Sequence, residues 1–162
     1  MADARIILRP AAPPDAPLIF VLIGELAAYE RLSQEVEANE GMIAAALFAD
    51  PPRAFCTIAE YDGTPAGFVL WFYTFSTFRG RQGIWIEDLY VREGLRGTGV
   101  GRTLLTSLAR RCHDEKLGRL EWAVLDWNAP AIAFYEKIGA TLMEAWTICR
   151  LDGAALQAFE AK

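Results

Sequence analysis

A glycine-rich stretch between a strand-like run and a helix-like run constrains the fold of this chain more than any other feature. The stretch is RGTGVGRT, residues 96–103, and it contains three glycines and two arginines. A glycine-rich turn at the start of a helix commonly binds phosphate, because backbone N–H groups converge there and the helix dipole favours negative charge. The sequence therefore predicts a strand, a phosphate-binding turn and a helix in direct succession.

The stretch is close to the nucleotide-binding P-loop but departs from it at two positions. Arg96 stands where the P-loop requires its first glycine, and Arg102 replaces the lysine that reaches the β- and γ-phosphates. The Rossmann pattern also fails, since Arg102 or Leu104 falls where its third glycine belongs. These departures argue against a P-loop NTPase or a dinucleotide enzyme. They leave open another phosphate-bearing ligand or a tight turn without a ligand.

Strand and helix patterns alternate along the chain without a linker or a repeat. The predicted strands cover residues 4–10, 54–61, 66–75, 83–91, 119–127 and 141–151. The predicted helices cover residues 16–30, 39–48, 100–116, 129–138 and 154–159. Asp15 is expected to cap the first helix through its carboxylate. The order predicts an α/β protein with a mixed, mostly antiparallel sheet, and the length of 162 residues predicts a single domain over residues 1–162.

Charge and hydropathy disfavour two classes of partner. The formal net charge of −5 argues against a general nucleic-acid binder, because phosphate backbones are bound by basic surfaces. The longest apolar run, residues 16–23, is too short to span a bilayer, and the N-terminus lacks the order of a signal peptide. We therefore expect a cytoplasmic protein that binds neither nucleic acid nor membrane.

The cysteine and histidine content limits the kinds of catalytic and metal-binding site that the chain can form. The three cysteines lie far apart without a CxxC pattern, so neither a disulfide framework nor a metal site is indicated. His113 is the only histidine and lies on the polar side of a predicted helix, which argues against serine or cysteine hydrolases and zinc enzymes. Proton transfer is therefore expected from carboxylates, tyrosine or water.

Two motifs together resemble the GNAT superfamily of acetyl-CoA-dependent N-acetyltransferases. Residues 96–101 fit the family's phosphate pattern of Gln or Arg, two free positions, Gly, one free position, then Gly or Ala. The run WNAPAIAFY, residues 127–135, is similar to the W-N-x-P-[AS]-I-x-F-Y element of the diamine (spermidine/spermine) and thialysine N-acetyltransferase group. The resemblance implies the GNAT fold, with a central, mostly antiparallel sheet splayed around the cofactor and flanked by helices. It also implies a homodimer.

The resemblance implies an acetyl-CoA site without a metal. The pyrophosphate of coenzyme A requires neither the lysine nor the magnesium of a P-loop, and backbone N–H groups of the loop would bind it. The strand before the loop would offer its backbone amides to the pantetheine arm. The implied cofactor-binding positions are Leu89, Tyr90, Val91, Arg96, Gly97, Thr98, Gly99, Val100, Gly101, Arg102, Asn128, Ala129, Pro130, Ala131 and Tyr135.

The resemblance also implies the catalytic residues. An alkyl amine with a pKa near ~10.4 is protonated at neutral pH and must lose a proton before it attacks the thioester. Glu87 is the expected base, directly or through water, and Tyr135 is the expected acid for the coenzyme A sulfur. Successive strand residues point to opposite faces, so Glu87 and Asp88 are not expected to face one cleft if the strand is regular. A structural hydrogen bond is the alternative role of Asp88.

The acceptor is predicted less sharply. Tyr29 and Glu30 resemble the group's acceptor-binding pair, and with Glu87 and Asp88 they form the expected substrate site. The segment RLSQEVE, residues 31–37, is less acidic than in polyamine enzymes, which argues against long polyamines. We expect a short diamine or lysine analogue, with an amino-acid or aminoglycoside amine as the alternative. A peptide or protein N-acetyltransferase and a non-catalytic acetyl-CoA-binding sensor also stay open.

Overall fold

Five strands form one mixed sheet in the computed structural model, which describes residues 3–160. The strands are β1 (Ile6–Pro10), β2 (Phe55–Tyr61), β3 (Thr64–Ser76), β4 (Arg81–Val91) and β5 (Leu120–Trp122). Their spatial order follows the chain, and neighbouring strands are antiparallel except for the parallel pair β4 and β5. The predicted mixed, mostly antiparallel sheet is confirmed.

The helices belong to two compact units, one ending at Ala123 and one beginning at Val124. The first unit contains the sheet and the helices α1 (Ala16–Glu30), α2 (Glu40–Leu47) and α3 (Val100–Asp114). The second contains α4 (Ala129–Lys137) and α5 (Gly153–Glu160). Short 3-10 turns cover Pro13–Asp15, Ser33–Glu35 and Glu93–Leu95. A single-domain organisation of residues 1–162 stays a prediction.

The two faces of the sheet are covered by different helices. On the face that we call the α1 face, Phe68 of β3 packs into an apolar core with α1 and α2. Trp71 and Tyr73 point to the opposite face, because side chains alternate along a strand. There the Arg111 guanidinium of α3 lies 5.1 Å from the centre of the Trp71 ring, and the Tyr73 hydroxyl donates to Glu115 at 2.6 Å. The core side chains of the α1 face are Ile19, Leu22, Leu26, Ile43, Leu47, Cys56, Ile58, Phe68 and Tyr90.

Asp15 occupies the N-cap position of α1, but the prediction that its carboxylate caps the helix is wrong, because the carboxylate is engaged elsewhere. The carboxylate accepts hydrogen bonds from both terminal nitrogens of Arg9, at 2.7 and 2.9 Å, and from the backbone N–H of Ala12. Arg9 also donates to Glu60 of β2 at 2.8 Å. This charged network ties β1 to β2 and to the start of α1.

Two strand predictions differ from the structure. The strand predicted over residues 119–127 is restricted to Leu120–Trp122. The strand predicted over residues 141–151 is wrong, since residues 140–152 are irregular and Trp146 and Ile148 are 74% and 70% exposed. A strand persists only where a neighbour satisfies its backbone N–H and C=O groups, and residues 124–160 contain no strand to do so within their own unit.

Candidate functional site

The central strand β4 contains one extra residue at Glu87. Asp88 lies opposite Leu70 of β3, whereas the next pair along the strand joins Ile86 to Trp71. Glu87 is thus left without a partner in β3, which is the arrangement of a β-bulge. A bulge breaks the alternation of side chains, so that two successive residues can face the same side.

Glu87 and Asp88 share the α1 face as a result. Asp88 lies opposite Leu70, which packs against the core of that face. The Glu87 carboxylate accepts a hydrogen bond at 3.0 Å from the indole N–H of Trp85, whose partner Phe72 follows Leu70 by two residues. We expected these two carboxylates to face apart if the strand was regular. The bulge makes the strand irregular at this point, so that expectation does not apply.

Three carboxylates converge at this point, because Glu30 ends α1 on the same face. Burial, together with the neighbouring charges of Glu87 and Glu30, raises the pKa of Asp88 to about 6. Burial also raises the pKa of Glu30. Carboxylates that repel one another are stabilised by a cation, so the group is suited to bind an ammonium.

Tyr29 lies beside the glycine-rich loop. The guanidinium of Arg96 lies 4.1 Å from the centre of the Tyr29 ring, a cation–π distance. Arg96 also donates from Nε to the carbonyl of Val91 at 3.2 Å. The end of α1 therefore contacts the loop through Tyr29, which was predicted to bind the acceptor, and Arg96, which was predicted to bind acetyl-CoA.

The glycine-rich loop has the backbone geometry of an anion site. Gly97 and Gly99 adopt positive φ angles of 81° and 97°, which disfavour residues with a side chain. The Thr98 hydroxyl donates to the carbonyl of Leu95 at 2.6 Å and holds the turn. Helix α3 begins directly afterwards at Val100, and the N–H groups of a helix's first turn have no partner within the helix. These residues fit the pyrophosphate of coenzyme A.

The outer edge of β4 has no strand partner next to this loop. Strand β5 pairs with β4 only from Ile84 to Ile86, although β4 continues to Val91. Over its last residues β4 keeps β3 on one side, with Tyr90 buried and Leu89 and Val91 half-buried. An unpaired strand edge offers backbone N–H and C=O groups to an extended ligand, as the predicted contacts of residues 89–91 require.

The remaining predicted residues lie in the second unit. Asn128 is buried, and its side-chain oxygen accepts from the N–H of Ala131 at 3.3 Å, so it caps α4. Ala129 and Pro130 form the first turn with Ala131. Tyr135 is buried in the same helix, with its ring centre 5.5 Å from that of Phe134. Their contribution to a site with the β4 carboxylates stays a prediction.

Two charged residues on the α1 face are not among those predicted from sequence. Glu121 of β5 lies opposite Trp85 of β4, and it forms an ion pair with Arg119. The alternation of polar and apolar residues in RLEW, residues 119–122, is the local signal that places both on one face.

Neither a metal-binding cluster nor a membrane-spanning helix occurs within residues 3–160. No group of three or more His, Cys, Asp or Glu side chains there could hold a metal ion. Nor does that part of the chain contain a helix long and apolar enough to cross a bilayer.

Comparisons with known proteins agree on one family. The model of the acetyltransferase (GNAT) family matches residues 21–140. A thialysine N-epsilon-acetyltransferase of Caenorhabditis elegans is 37% identical, over 91% of this chain and 92% of the relative. An L-ornithine N5-acetyltransferase of Arabidopsis thaliana is 34% identical, over 94% of this chain and 87% of the relative. The solved structure of an integron cassette protein from the mobile metagenome of V. cholerae shares the fold, with a TM-score of 0.81, 23% identity, and coverage of 99% of this chain and 100% of that one.

The raised pKa of Asp88 leads to a stability prediction. The folded state binds the Asp88 proton more tightly than the unfolded chain, so stability is lost as pH rises from the ordinary value near ~3.9 through about 6. Asp88→Asn should therefore raise the free energy of unfolding by about 1 to 3 kcal/mol at pH 7.5, and the gain should vanish by pH 4. Urea titrations at both pH values measure the difference.

The exposed Asp126 provides the control, since Asp126→Asn should change the free energy of unfolding by less than about 0.5 kcal/mol at either pH. A loss of stability in Asp88→Asn at pH 7.5 would contradict the prediction, because it would mean that the charged Asp88 makes a net stabilising contact.

Proposed function

The chain belongs to the GNAT acetyltransferase family and is an N-acetyltransferase, and from this premise we propose that it transfers the acetyl group of acetyl-CoA to one amino group of a short molecule that carries two. The convergence of Glu30, Glu87 and Asp88 on the α1 face is the observation that carries this proposal. Two of these carboxylates suffice for the reacting amine and its proton. The third adds to the negative charge that attracts an acceptor with two ammonium groups.

The glycine-rich loop and the edge of β4 would bind the acetyl donor. Backbone N–H groups from Gly97 to Arg102 would hold the pyrophosphate, aided by the positive end of α3. The backbone of Leu89, Tyr90 and Val91 would align the pantetheine arm along β4. The bound donor supplies a thioester carbonyl at the end of this arm. The bulge at Glu87 lies on the same strand, at the point where β5 parts from β4.

Glu87 would act as the base. It takes a proton from the acceptor ammonium, directly or through one water, and the neutral nitrogen attacks the thioester carbonyl carbon. A C–N bond forms and the C–S bond breaks. Tyr135 would deliver its phenolic proton to the departing sulfur. Asp88 and Glu30 would hold the acceptor through charge, since a pKa of about 6 leaves Asp88 mostly ionised at pH 7.

The acceptor would be a short diamine or diamino acid. Relatives that match nearly the whole chain are named for thialysine and ornithine, which each carry a side-chain amine and an α-amine. Tyr29 contacts Arg96 of the loop, so Glu30 marks the acceptor end of α1 more directly than Tyr29 does. The weakly acidic segment after Glu30 argues against a long polyamine.

A homodimer and a cytoplasmic location complete the proposal. Dimer formation is supported by the exposed apolar side chains of Met143, Trp146, Ile148 and Phe159, which are 62% to 74% exposed. The cytoplasmic location is supported by three free cysteines, of which Cys56 is buried.

A panel of acceptors tests the function directly. Thiol release from acetyl-CoA should be fastest with L-ornithine, L-lysine, thialysine and 1,4-diaminobutane, and slower with spermine, an aminoglycoside and peptides, because only short molecules keep both amines close to the acidic side chains of the α1 face. Preference for peptides would replace the proposal with a peptide N-acetyltransferase. Tight acetyl-CoA binding without release from any amine would replace it with a cofactor sensor.

Tyr135→Phe tests the acid. The variant should lower kcat by about 100-fold, since general acid catalysis contributes on that order, while the Kd for acetyl-CoA stays unchanged. Tyr73→Phe is the matched control, because Tyr73 contacts α3 on the opposite face, and it should turn over at nearly the rate of the unmodified protein. Equal kcat in both variants would remove Tyr135 from the mechanism.

Glu87→Gln tests the base through its pH dependence. At pH 7 kcat should fall by about 100-fold, and the loss should shrink above pH 9, because more of an amine with a pKa near ~10.4 is then already neutral. Glu93→Gln, an exposed substitution in the turn after β4, should leave the profile unchanged. A full rate for Glu87→Gln at pH 7 would assign the proton to Asp88 or to water.

A further inference from the structure

We propose that Arg119 and Glu121 form a subsite for the α-carboxylate and α-ammonium of an amino-acid acceptor, so that the enzyme selects a short diamino acid over the corresponding diamine. The inference rests on the proposed function and names the acceptor class more narrowly. It concerns residues outside the loop, the bulge and the motif in α4.

The backbone pairing places both side chains beside the carboxylates. Glu121 lies opposite Trp85 in the parallel pair of β5 and β4, and parallel neighbours point to the same face. Trp85 lies on the α1 face and donates to Glu87 at 3.0 Å. Trp85 is thus the strand neighbour of Glu121 and a hydrogen-bond donor to Glu87, and the alkyl chain of an acceptor could lie along its indole.

Arg119 reaches the same face because Gly83 of β4 has no side chain. The Arg119 carbonyl accepts from the N–H of Ile84 at 3.0 Å, which fixes its backbone beside β4. A Cβ at Gly83 would lie 3.1 Å from Cγ of Arg119 and 3.1 Å from the hydroxyl of Thr74. Thr74 follows Leu70 by four residues, so this space belongs to the α1 face. The Arg119 side chain therefore lies over Gly83 on the α1 face, and Gly83 precedes Trp85 by two residues in β4.

The charges of the subsite complement a zwitterion. Arg119 and Glu121 form an ion pair through Nε, with side chains 40% and 35% exposed, so both groups are accessible to a ligand. The Nε contact uses one of the five N–H donors of a guanidinium, and the others can bind a carboxylate. Glu121 can at the same time accept from an ammonium. A free α-amino acid carries these two groups on one carbon.

The spacing suits a chain of three or four methylenes. Two residues along a strand and one strand across separate the Cα atoms of Glu87 and Glu121 by about 8 Å, from a rise of ~3.3 Å and a strand spacing of ~4.8 Å. Bonds near ~1.5 Å in a zigzag place the two nitrogens of ornithine or lysine about 6 to 7.5 Å apart. One nitrogen can lie at Glu87 while the other lies at Glu121.

Arg119 supplies the discrimination between the two acceptor classes. A plain diamine would bring its second ammonium close to the guanidinium with only Glu121 to balance the two cations, whereas the α-carboxylate of a diamino acid supplies a second anion. Specificity built from one attraction and one repulsion is common in charged sites. The ion pair with Glu121 holds the guanidinium in place before the acceptor binds.

The test compares L-ornithine with 1,4-diaminobutane, which differ only in the carboxylate. Unmodified protein should show the higher kcat/KM for L-ornithine. Arg119→Gln should lower kcat/KM for L-ornithine by about 10- to 100-fold through KM, the equivalent of one or two charge-assisted hydrogen bonds, and leave 1,4-diaminobutane unchanged or improved. Arg119→Lys should restore part of the loss. Arg110→Gln, an exposed change on α3 on the other side of the sheet, is the control and should affect neither substrate.

Thermal melting and acetyl-CoA binding of each variant show whether it is folded. If Arg119→Gln is not folded, Arg119→Lys is compared with the unmodified protein instead. Equal loss for both substrates, or no loss for either, would mean that the ion pair is only structural and would overturn the inference. A preference of unmodified protein for 1,4-diaminobutane would overturn it as well. Each of these three results leaves the proposed acetyl transfer intact, whereas absence of turnover with every amine refutes that function itself.

Discussion

The extra residue at Glu87 is the feature on which the candidate site depends. It shifts the pairing of β4 with β3, so that Glu87 and Asp88 both face the side covered by α1. It also lies one residue after the last contact of β4 with β5, at Ile86. This one local irregularity thus places the two β4 carboxylates on the same face. It also marks the start of the segment of β4 that has no strand partner on its outer edge, where an extended ligand could pair.

The carboxylates destabilise the fold that carries them. Burial of Asp88 beside Glu87 and Glu30 raises its pKa to about 6, so ionisation at neutral pH opposes folding. Strained or repulsive groups persist where the surrounding structure holds them, and they concentrate at functional sites. Here the apolar core between α1 and the sheet offsets the repulsion.

A second ion pair positions α1 relative to β4. The Arg92 guanidinium, one residue after β4, donates to both carboxylate oxygens of Glu25 at 3.1 and 2.9 Å and to the carbonyl of Pro65 at 3.0 Å. A paired fork of this kind fixes orientation as well as distance. Glu30 lies little more than one helical turn beyond Glu25, so the position of Arg92 fixes where the third carboxylate meets the sheet. The Arg96 contact with Tyr29 holds the same helix end from the side of the loop.

The charged groups of the α1 face differ along β4 and β5, from carboxylates alone to a carboxylate paired with a guanidinium. The carboxylates of Glu30, Glu87 and Asp88 form one end, and the pair of Glu121 with Arg119 forms the other. Trp85 links the two ends, since it donates to Glu87 and lies opposite Glu121. A face with this order of charges presents different chemistry to the two ends of a ligand, which a uniformly acidic face does not.

The sequence by itself determined the order of the strands and helices that formed, the position of the glycine-rich loop and the family of the chain. These features are local, because helix and strand periodicity, glycine at positive φ and short motifs depend on neighbouring residues. Only the tertiary structure decided which charged groups meet. The bulge at Glu87 depends on the pairing of β4 with β3. The position of Arg119 depends on its pairing with β4. Whether the expected last strand forms depends on the presence of a neighbouring strand. Each depends on residues distant in the chain, and side-chain patterns within one segment carry no information about register with another.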